Sequence, residues 1–212
     1  MQTRRALLRA SLAIGGVAVV ALSGRGALAS IEQEASDFIT DLGNRAIAQL
    51  TDTSVSEQER VDRFRALLIE AVDFSLISQQ VLGTYWRSTE EAVRAEFNEV
   101  LRETLIQRFL PLFDSYEGET FDVSSTRTST RDPSVVAATT NVVAPNGSIA
   151  KVEWYMRKEN EALKIYDFSA EGIRLTVSLQ EEYSTVLRRN DGDVTVLIAQ
   201  MKNKLPATAR LD

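Results

Sequence analysis

The chain has 212 residues, 24 basic and 30 acidic, for a net charge of −6, with no histidine and no cysteine. Without histidine there is no Ser-His-Asp triad, no histidine metal site and no use of the commonest general base. Without cysteine there is no disulfide, so stability rests on packing, and an acidic chain with no basic stripe has no nucleic-acid footprint.

The N-terminus reads as an export signal. Thr3-Arg4-Arg5-Ala6-Leu7-Leu8-Arg9 precedes the apolar run Leu12 to Leu22, and Ala27-Leu28-Ala29 offers small residues for cleavage. Eleven apolar residues do not cross a bilayer, so this is a signal peptide over residues 1–29 and not a membrane anchor. The paired arginines suit a twin-arginine signal, and a Sec signal carrying two arginines is the alternative. Cleavage after Ala29 removes Arg4, Arg5, Arg9 and Arg25 but none of the 30 acids, which leaves a charge of −10. The mature chain is expected to be one domain over residues 30–205 with a flexible tail over 206–212, free in the exported compartment.

Helical spacing dominates the first half. Ser30-Ile31-Glu32-Gln33 has the form of a capping box ahead of Ile31, Ala35, Phe38, Leu42, Ala46 and Leu50. Ser56-Glu57-Gln58-Glu59 opens a second stripe of Val61, Phe64, Leu68 and Ala71. A third places Phe74, Ile77, Val81 and Tyr85 on one face, with Gly83 as its stop. Ser88-Thr89-Glu90-Glu91 predicts the start of the longest helix, with Val93, Phe97, Leu101, Leu105, Phe109 and Leu112 in line and Pro111 at its end.

After Tyr116 the period becomes two. Thr120 to Thr130, Ser134 to Val143, Ile149 to Lys158 and Ala162 to Ser169 read as four antiparallel strands in meander order. Pro145-Asn146-Gly147-Ser148 and Glu159-Asn160-Glu161 supply turns. Alternation puts Val152, Trp154 and Met156 on one face of the third strand. In the fourth it sets Leu163 and Ile165 against Tyr166 and Phe168. Helices from Leu175 to Arg189 and from Val194 to Leu205 close the chain, separated by Asn190-Asp191-Gly192. The pattern predicts an α+β fold with several helices over one face of a four-stranded sheet. Such layers either pack solid or leave a cavity between them.

Candidate chemistry is sparse. Asp191-Gly192-Asp193 lacks the spaced ligands of an EF-hand and reads as a turn. Asp167 and Glu171 flank the end of the last strand and form either a carboxylate pair or helix caps. Arg188-Arg189 and Arg102/Arg108 are solvated helix faces or partner contacts.

Three blocks carry a resemblance. Asp73-Phe74-x-x-Ile77-x-x-x-Val81-Leu82-Gly83-x-Tyr85-Trp86-Arg87 is the first. The second joins Val152-Glu153-Trp154-x-Met156-Arg157, Lys164-Ile165-Tyr166-Asp167 and Glu171-Gly172-Ile173. The third is Tyr183-x-x-Val186-Leu187-Arg188-Arg189. In this order, from about Ile31 to Leu205, they resemble the periplasmic phospholipid-binding MlaC family, also called toluene-tolerance auxiliary proteins. Phe168-Ser169-Ala170 departs from the aliphatic residues more usual there, which puts the lipid preference in question.

The resemblance implies a periplasmic, monomeric carrier of diacyl phospholipid, not an enzyme and without cofactor or metal. It implies a curved sheet under helices with the lipid cavity between the layers. It also implies shuttling between an outer-membrane lipoprotein–porin complex and an inner-membrane ABC transporter with a lipid-binding substrate domain, which maintains outer-membrane asymmetry. Alignment of the resembling segments assigns Phe74, Ile77, Val81, Tyr85 and Trp86 to a lipid-facing wall, joined by Leu105 and Phe109. Val152, Trp154 and Met156 become the floor, Ile173, Leu175 and Val177 the mouth, and Ile165 and Tyr166 competing candidates for the last strand. Each of these is otherwise ordinary core. Two acyl chains present about thirty methylenes at roughly 0.8 kcal/mol each, so such a carrier needs apolar surface and no nucleophile. The rival readings are a lipid-modifying enzyme using Asp167 or Glu171 and a ligand-free interaction protein.

Overall fold

A computed structural model describes residues 23–209. Helix α1 (Ser23–Leu50) buries Ile31, Ala35 and Ile39 on one stripe. It is already helical at Ser30, so the expected capping box there is an internal stretch. Glu32 serves another purpose: its carboxylate accepts hydrogen bonds from the backbone N–H and hydroxyl of Thr128, at 2.8 and 2.9 Å. The expected signal peptide falls largely on residues outside the described range.

The second capping signal holds. Ser56 Oγ accepts from Glu59 N at 3.1 Å and starts α2 (Glu57–Ala71). Helix α3 (Phe74–Leu82) is capped by the Asp73 carboxylate, which accepts from Leu76 N, and ends at Gly83 with φ +56°. A 3-10 turn over Gly83–Ser88 follows. The hydroxyls of Ser88 and Thr89 donate to the Tyr85 carbonyl, at 3.1 and 2.7 Å, and close that turn. They are therefore not available to cap α4 (Glu91–Phe109), whose N-cap Glu90 makes no side-chain bond. Pro111 ends α4 as expected and opens the single turn α5 (Pro111–Asp114).

The sheet is an antiparallel meander of five strands, not four: β1 (Thr120–Thr128), β2 (Val135–Val143), β3 (Ile149–Glu159), β4 (Ala162–Ala170) and the two-residue β5 (Ile173–Arg174). The extra hairpin turns at Glu171 (φ +50°) and Gly172 (φ +81°). A glutamate in the left-handed region is unusual, which hid the turn from the sequence. Helices α6 (Leu175–Arg189) and α7 (Val194–Lys204) complete the helical layer. Within the expected tail over 206–212, Ala207–Ala209 form a 3-10 turn and Ala209 is buried in the helical core, while residues 210–212 lie outside the described range.

Three apolar clusters hold the layers. One joins α3, α4, α6 and α7; a second joins α1 to β2, β3 and β4; a third joins α1, α2 and α4. The buried Glu103 of α4 is held by a two-pronged bond from Arg65 of α2, both contacts 2.9 Å. That pairing, more than any other contact of Arg65, stabilises its charged form. Among the described residues no helix is long and apolar enough to cross a membrane.

Gly43 in mid-α1 has a specific cause. Glycine there costs about 0.5–1 kcal/mol relative to alanine, yet a Cβ would overlap the ring of Phe121 on β1. Gly43→Ala is therefore expected to lower stability by about 1–3 kcal/mol despite its better helix propensity. In a Phe121→Ala background the same change should be neutral or stabilising. Paired urea titrations of the four proteins check this double-mutant cycle.

Candidate functional site

Strand pairing fixes which side chains share the helix-facing side of the sheet. Val136, Met156 and Ile165 lie in one cross-strand row; Ala138, Trp154 and Phe168 in the next; Thr140, Val152 and Ala170 beyond it. The last row is Phe121, Val142 and Ala150, with Ile173 beside Ala170 at the edge. Burial is complete in the first row and uneven beyond it, with Ala138 and Thr140 on β2 still buried and Ala150 and Ala170 exposed. Val136 and Met156 are fully buried, Trp154, Phe168, Val152 and Val142 are half-buried, and Ile173 is 66% exposed. The apolar face is thus sealed by α1 at the Val136–Met156 end, and at the other end it reaches solvent around Ala150, Ala170 and Ile173, while α1 still lies over Phe121 on the β1 side.

A line of aromatic rings crosses the emerging end. Phe109 of α4 meets Phe168 edge-on at 5.5 Å, and Phe168 meets Trp154 at 5.5 Å with the rings tilted by 39°. Leu42 and Phe121 stand on the α1 side, and Val177 of α6, 46% exposed, stands with Ile173 on the rim. The indole N–H of Trp154 donates to Thr140 Oγ1 at 3.1 Å, and that hydroxyl donates to the Val152 carbonyl at 3.3 Å. Buried polar side-chain atoms without a partner do occur, at Ser78, Arg94, Asn98, Arg102, Asn141 and Tyr183. They lie on α3, α4 and α6 or, for Asn141, on the opposite side of the sheet.

That opposite side is polar and stacked. The Arg174 guanidinium lies 4.4 Å from the Tyr155 ring centre and that of Arg157 lies 5.8 Å from Tyr166. Burial pushes the Tyr155 phenol pKa up, as does its 2.6 Å hydrogen bond to Glu153.

Asp167 is fully buried and wholly engaged. Its carboxylate accepts from Phe168 N at 2.9 Å, Thr176 N at 3.2 Å, Thr176 Oγ1 at 2.6 Å and Arg174 Nε at 2.6 Å. It ties the first turn of α6 to β4, where the orphan N–H groups of a helix favour a carboxylate. Glu171 accepts from Lys151 N at 3.0 Å and pins the end of β3. Both members of the suspected carboxylate pair thus have structural partners.

The sequence-derived site residues separate into distinct places. Phe109, Val152 and Trp154 meet at the emerging end, with Ile173 and Val177 at its rim. Met156 and Ile165 lie on the same face at the sealed end. Phe74, Ile77, Val81, Leu105 and Leu175 are buried in the cluster of α3, α4, α6 and α7. Tyr85 lies against Gly192 and Trp86 under Arg94, at the far end of α6, whose 15 residues span about 22 Å. Tyr166 lies on the opposite face from Ile165. The register shifts by one residue between Tyr155 and Met156, so Tyr166 is the extra residue of a β-bulge. The bulge returns Phe168 to the face of Ile165, where simple alternation had set the two apart. Leu42, Phe121, Thr140, Val142 and Phe168 join the site without having been assigned to it. Of these, Phe121 carried an alternation signal with Val123, Val142 lay in an apolar run without alternation, and Phe168 was hidden by the bulge.

Two surface concavities elsewhere are less suited to apolar ligands. One of about 690 Å³ along α1 is lined by Gln33, Glu34, Phe38, Asp37 and Asp41. Another of about 430 Å³ contains the Arg60–Asp114 ion pair. Burying a hydrocarbon there would strip water from charges.

Comparison with known proteins places this arrangement. A sequence model described as MlaC protein matches residues 40–203, more than three quarters of the chain. Among solved structures, a phospholipid-binding protein from Ralstonia solanacearum, determined in complex with a phospholipid, superposes with a TM-score of 0.69. It is 15% identical, and the match covers 79% of this chain and 94% of that one. At that identity the likeness concerns the fold.

Asp167→Ala is expected to cost about 2 kcal/mol or more, because Arg174 and Thr176 lose a charged acceptor. Thermal or urea unfolding measures it. A stability unchanged within 0.5 kcal/mol, on the ordinary scale of a surface change, would contradict the anchoring role.

Proposed function

Because the chain belongs to the MlaC family, we propose that it carries phospholipid, with the acyl chains lying against the emerging end of the inner sheet face. The observation that carries this reading is the continuous apolar surface running from the exposed Ile173 back to the buried Met156. Its rim is wet and its depth is dry, as a hydrocarbon entering from solvent requires. From Ala150 to Met156, six residues of strand cover about 20 Å. That is commensurate with one leaflet of a hydrocarbon core about 30 Å thick.

The energetics favour such a site. Each methylene moved from water into apolar surroundings gains roughly 0.8 kcal/mol, so most of the chain must be covered. The half-buried rings of Phe109 and Phe168 are the side chains that would move to admit it, against the face of Trp154. They sit at the half-buried end of the face, while the sealed end keeps the layers together. The headgroup stays at the rim, in water.

The reading extends to a route. The arginine-bearing, apolar N-terminal segment supports export to the periplasm. There a carrier of this family would receive lipid from an outer-membrane lipoprotein–porin complex and exchange it with an inner-membrane ABC transporter. The carrier has no energy source of its own, so direction is set by relative affinity and by the transporter's ATP. The engagement of Asp167 and Glu171 in structural bonds favours carriage over lipid hydrolysis.

The test is extraction of protein purified from the periplasm of a Gram-negative host, followed by mass spectrometry. Near-stoichiometric diacyl phospholipid is expected. Trp154→Glu should retain the far-ultraviolet circular dichroism of the parent and lose the lipid. Parent protein that neither co-purifies with phospholipid nor takes it up from vesicles would contradict the proposal, and so would a lipid-loaded Trp154→Glu variant.

A further inference from the structure

Thr140 is the polar member of an otherwise apolar stretch of the inner face, between Ala138 and Val142 along its strand and opposite Val152. It is 2% exposed. Valine has nearly the same shape and would suit an apolar floor better, so the hydroxyl calls for a reason. That reason is visible in its two partners. The hydroxyl donates to the Val152 carbonyl at 3.3 Å and accepts the indole N–H of Trp154 at 3.1 Å.

We propose that Thr140 is a positioning residue for the acyl-chain site, holding the polar edge of Trp154 against the sheet so that its hydrocarbon face is presented to the ligand. This rests on the carrier reading given above. An indole is a large apolar surface with one obligatory donor. In a hydrocarbon-binding cleft the donor is a liability: left unpaired, it either faces the incoming chain without a partner or draws water into the site. Thr140 removes it from the ligand's side. The same bond fixes the ring's rotation, and the ring in turn supports Phe168, which supports Phe109, each at 5.5 Å. One hydroxyl thereby sets the orientation of the whole aromatic line, from β3 across β4 to α4. Because the bond is spent within the protein, the floor selects for chain and not for ester or headgroup oxygen.

The experiment compares full-length mature protein with its Thr140→Val, Thr140→Ser and Thr140→Ala variants. Each is delipidated and titrated with pyrene-labelled phosphatidylcholine, and the indole N–H signals are followed by 15N NMR, assigned against Trp154→Phe. In Thr140→Val and Thr140→Ala the Trp154 indole N–H should shift and exchange with water at least tenfold faster, and affinity should fall about tenfold. Thr140→Ser should restore both. A parent that binds no labelled lipid would overturn the carrier reading itself. A parent that binds, with variants of equal affinity within twofold despite a changed indole signal, would overturn the positioning role alone. So would an indole signal unchanged in Thr140→Val, or a Thr140→Ser variant as weak as Thr140→Ala. If Thr140→Val does not fold, the serine and alanine variants decide the question in the same terms.

Discussion

An antiparallel sheet with one apolar face must have that face covered, and in this protein the cover is incomplete at one end, around Ala150, Ala170 and Ile173. Helix α1 closes the end formed by Val136, Met156 and Ile165, while the rows beyond Trp154 reach solvent at Ala150, Ala170 and Ile173. A sheet covered throughout would offer a small molecule nothing, and one uncovered throughout would not be stable. The incomplete cover reconciles the two. Buried rows supply cohesion, and emerging rows supply a ligand surface continuous with the core.

The polar contacts that fix the helices stand around this surface and not within it. Asp167 anchors the start of α6 to β4, directly beside the rim. Arg65 and Glu103 tie α2 to α4, the helix that delivers Phe109. Glu32 joins α1 to the end of β1, and the Phe121 ring seats against Gly43 farther along the same helix. The walls are therefore fixed by directional bonds and close backbone contact. Between them, the half-buried rings of Phe109 and Phe168 can adjust at lower cost. This division lets a binding surface adapt to hydrocarbon chains without loosening the fold.

Much of the architecture was legible in the sequence, because periodicity reports directly which face of an element is buried. Helix α6 was delimited from Leu175 to Arg189, as found, and strands β2 to β4 to within a residue or so at each end. The failures share a cause. Ser30 and Ser88 looked like caps, but whether a serine caps depends on the chain before it: α1 was already running, and Ser88 had a nearer acceptor in Tyr85. The bulge at Tyr166 and the hairpin at Glu171-Gly172 leave no mark in a two-residue alternation, and together they decide where Phe168, Asp167 and Ile173 point. The α3 stretch from Phe74 to Val81 was singled out for its apolarity. That apolarity is used between elements, because a helix packed against α4, α6 and β4 must be greasy whether or not a ligand is near. Burial along the strands, which no local pattern contains, distinguished floor from core.

The central claim is that hydrocarbon lies against the emerging rows of the inner sheet face. Photocrosslinking from single benzophenone side chains tests it most directly. The probe is placed at Val142 or Ile173 on that face, and at Tyr166 on the other, in protein purified with its lipid. The account predicts a phospholipid mass adduct from positions 142 and 173 and none from 166. Adducts from 166 as strong as from 173, or none from either inner-face position in lipid-loaded protein, would contradict it.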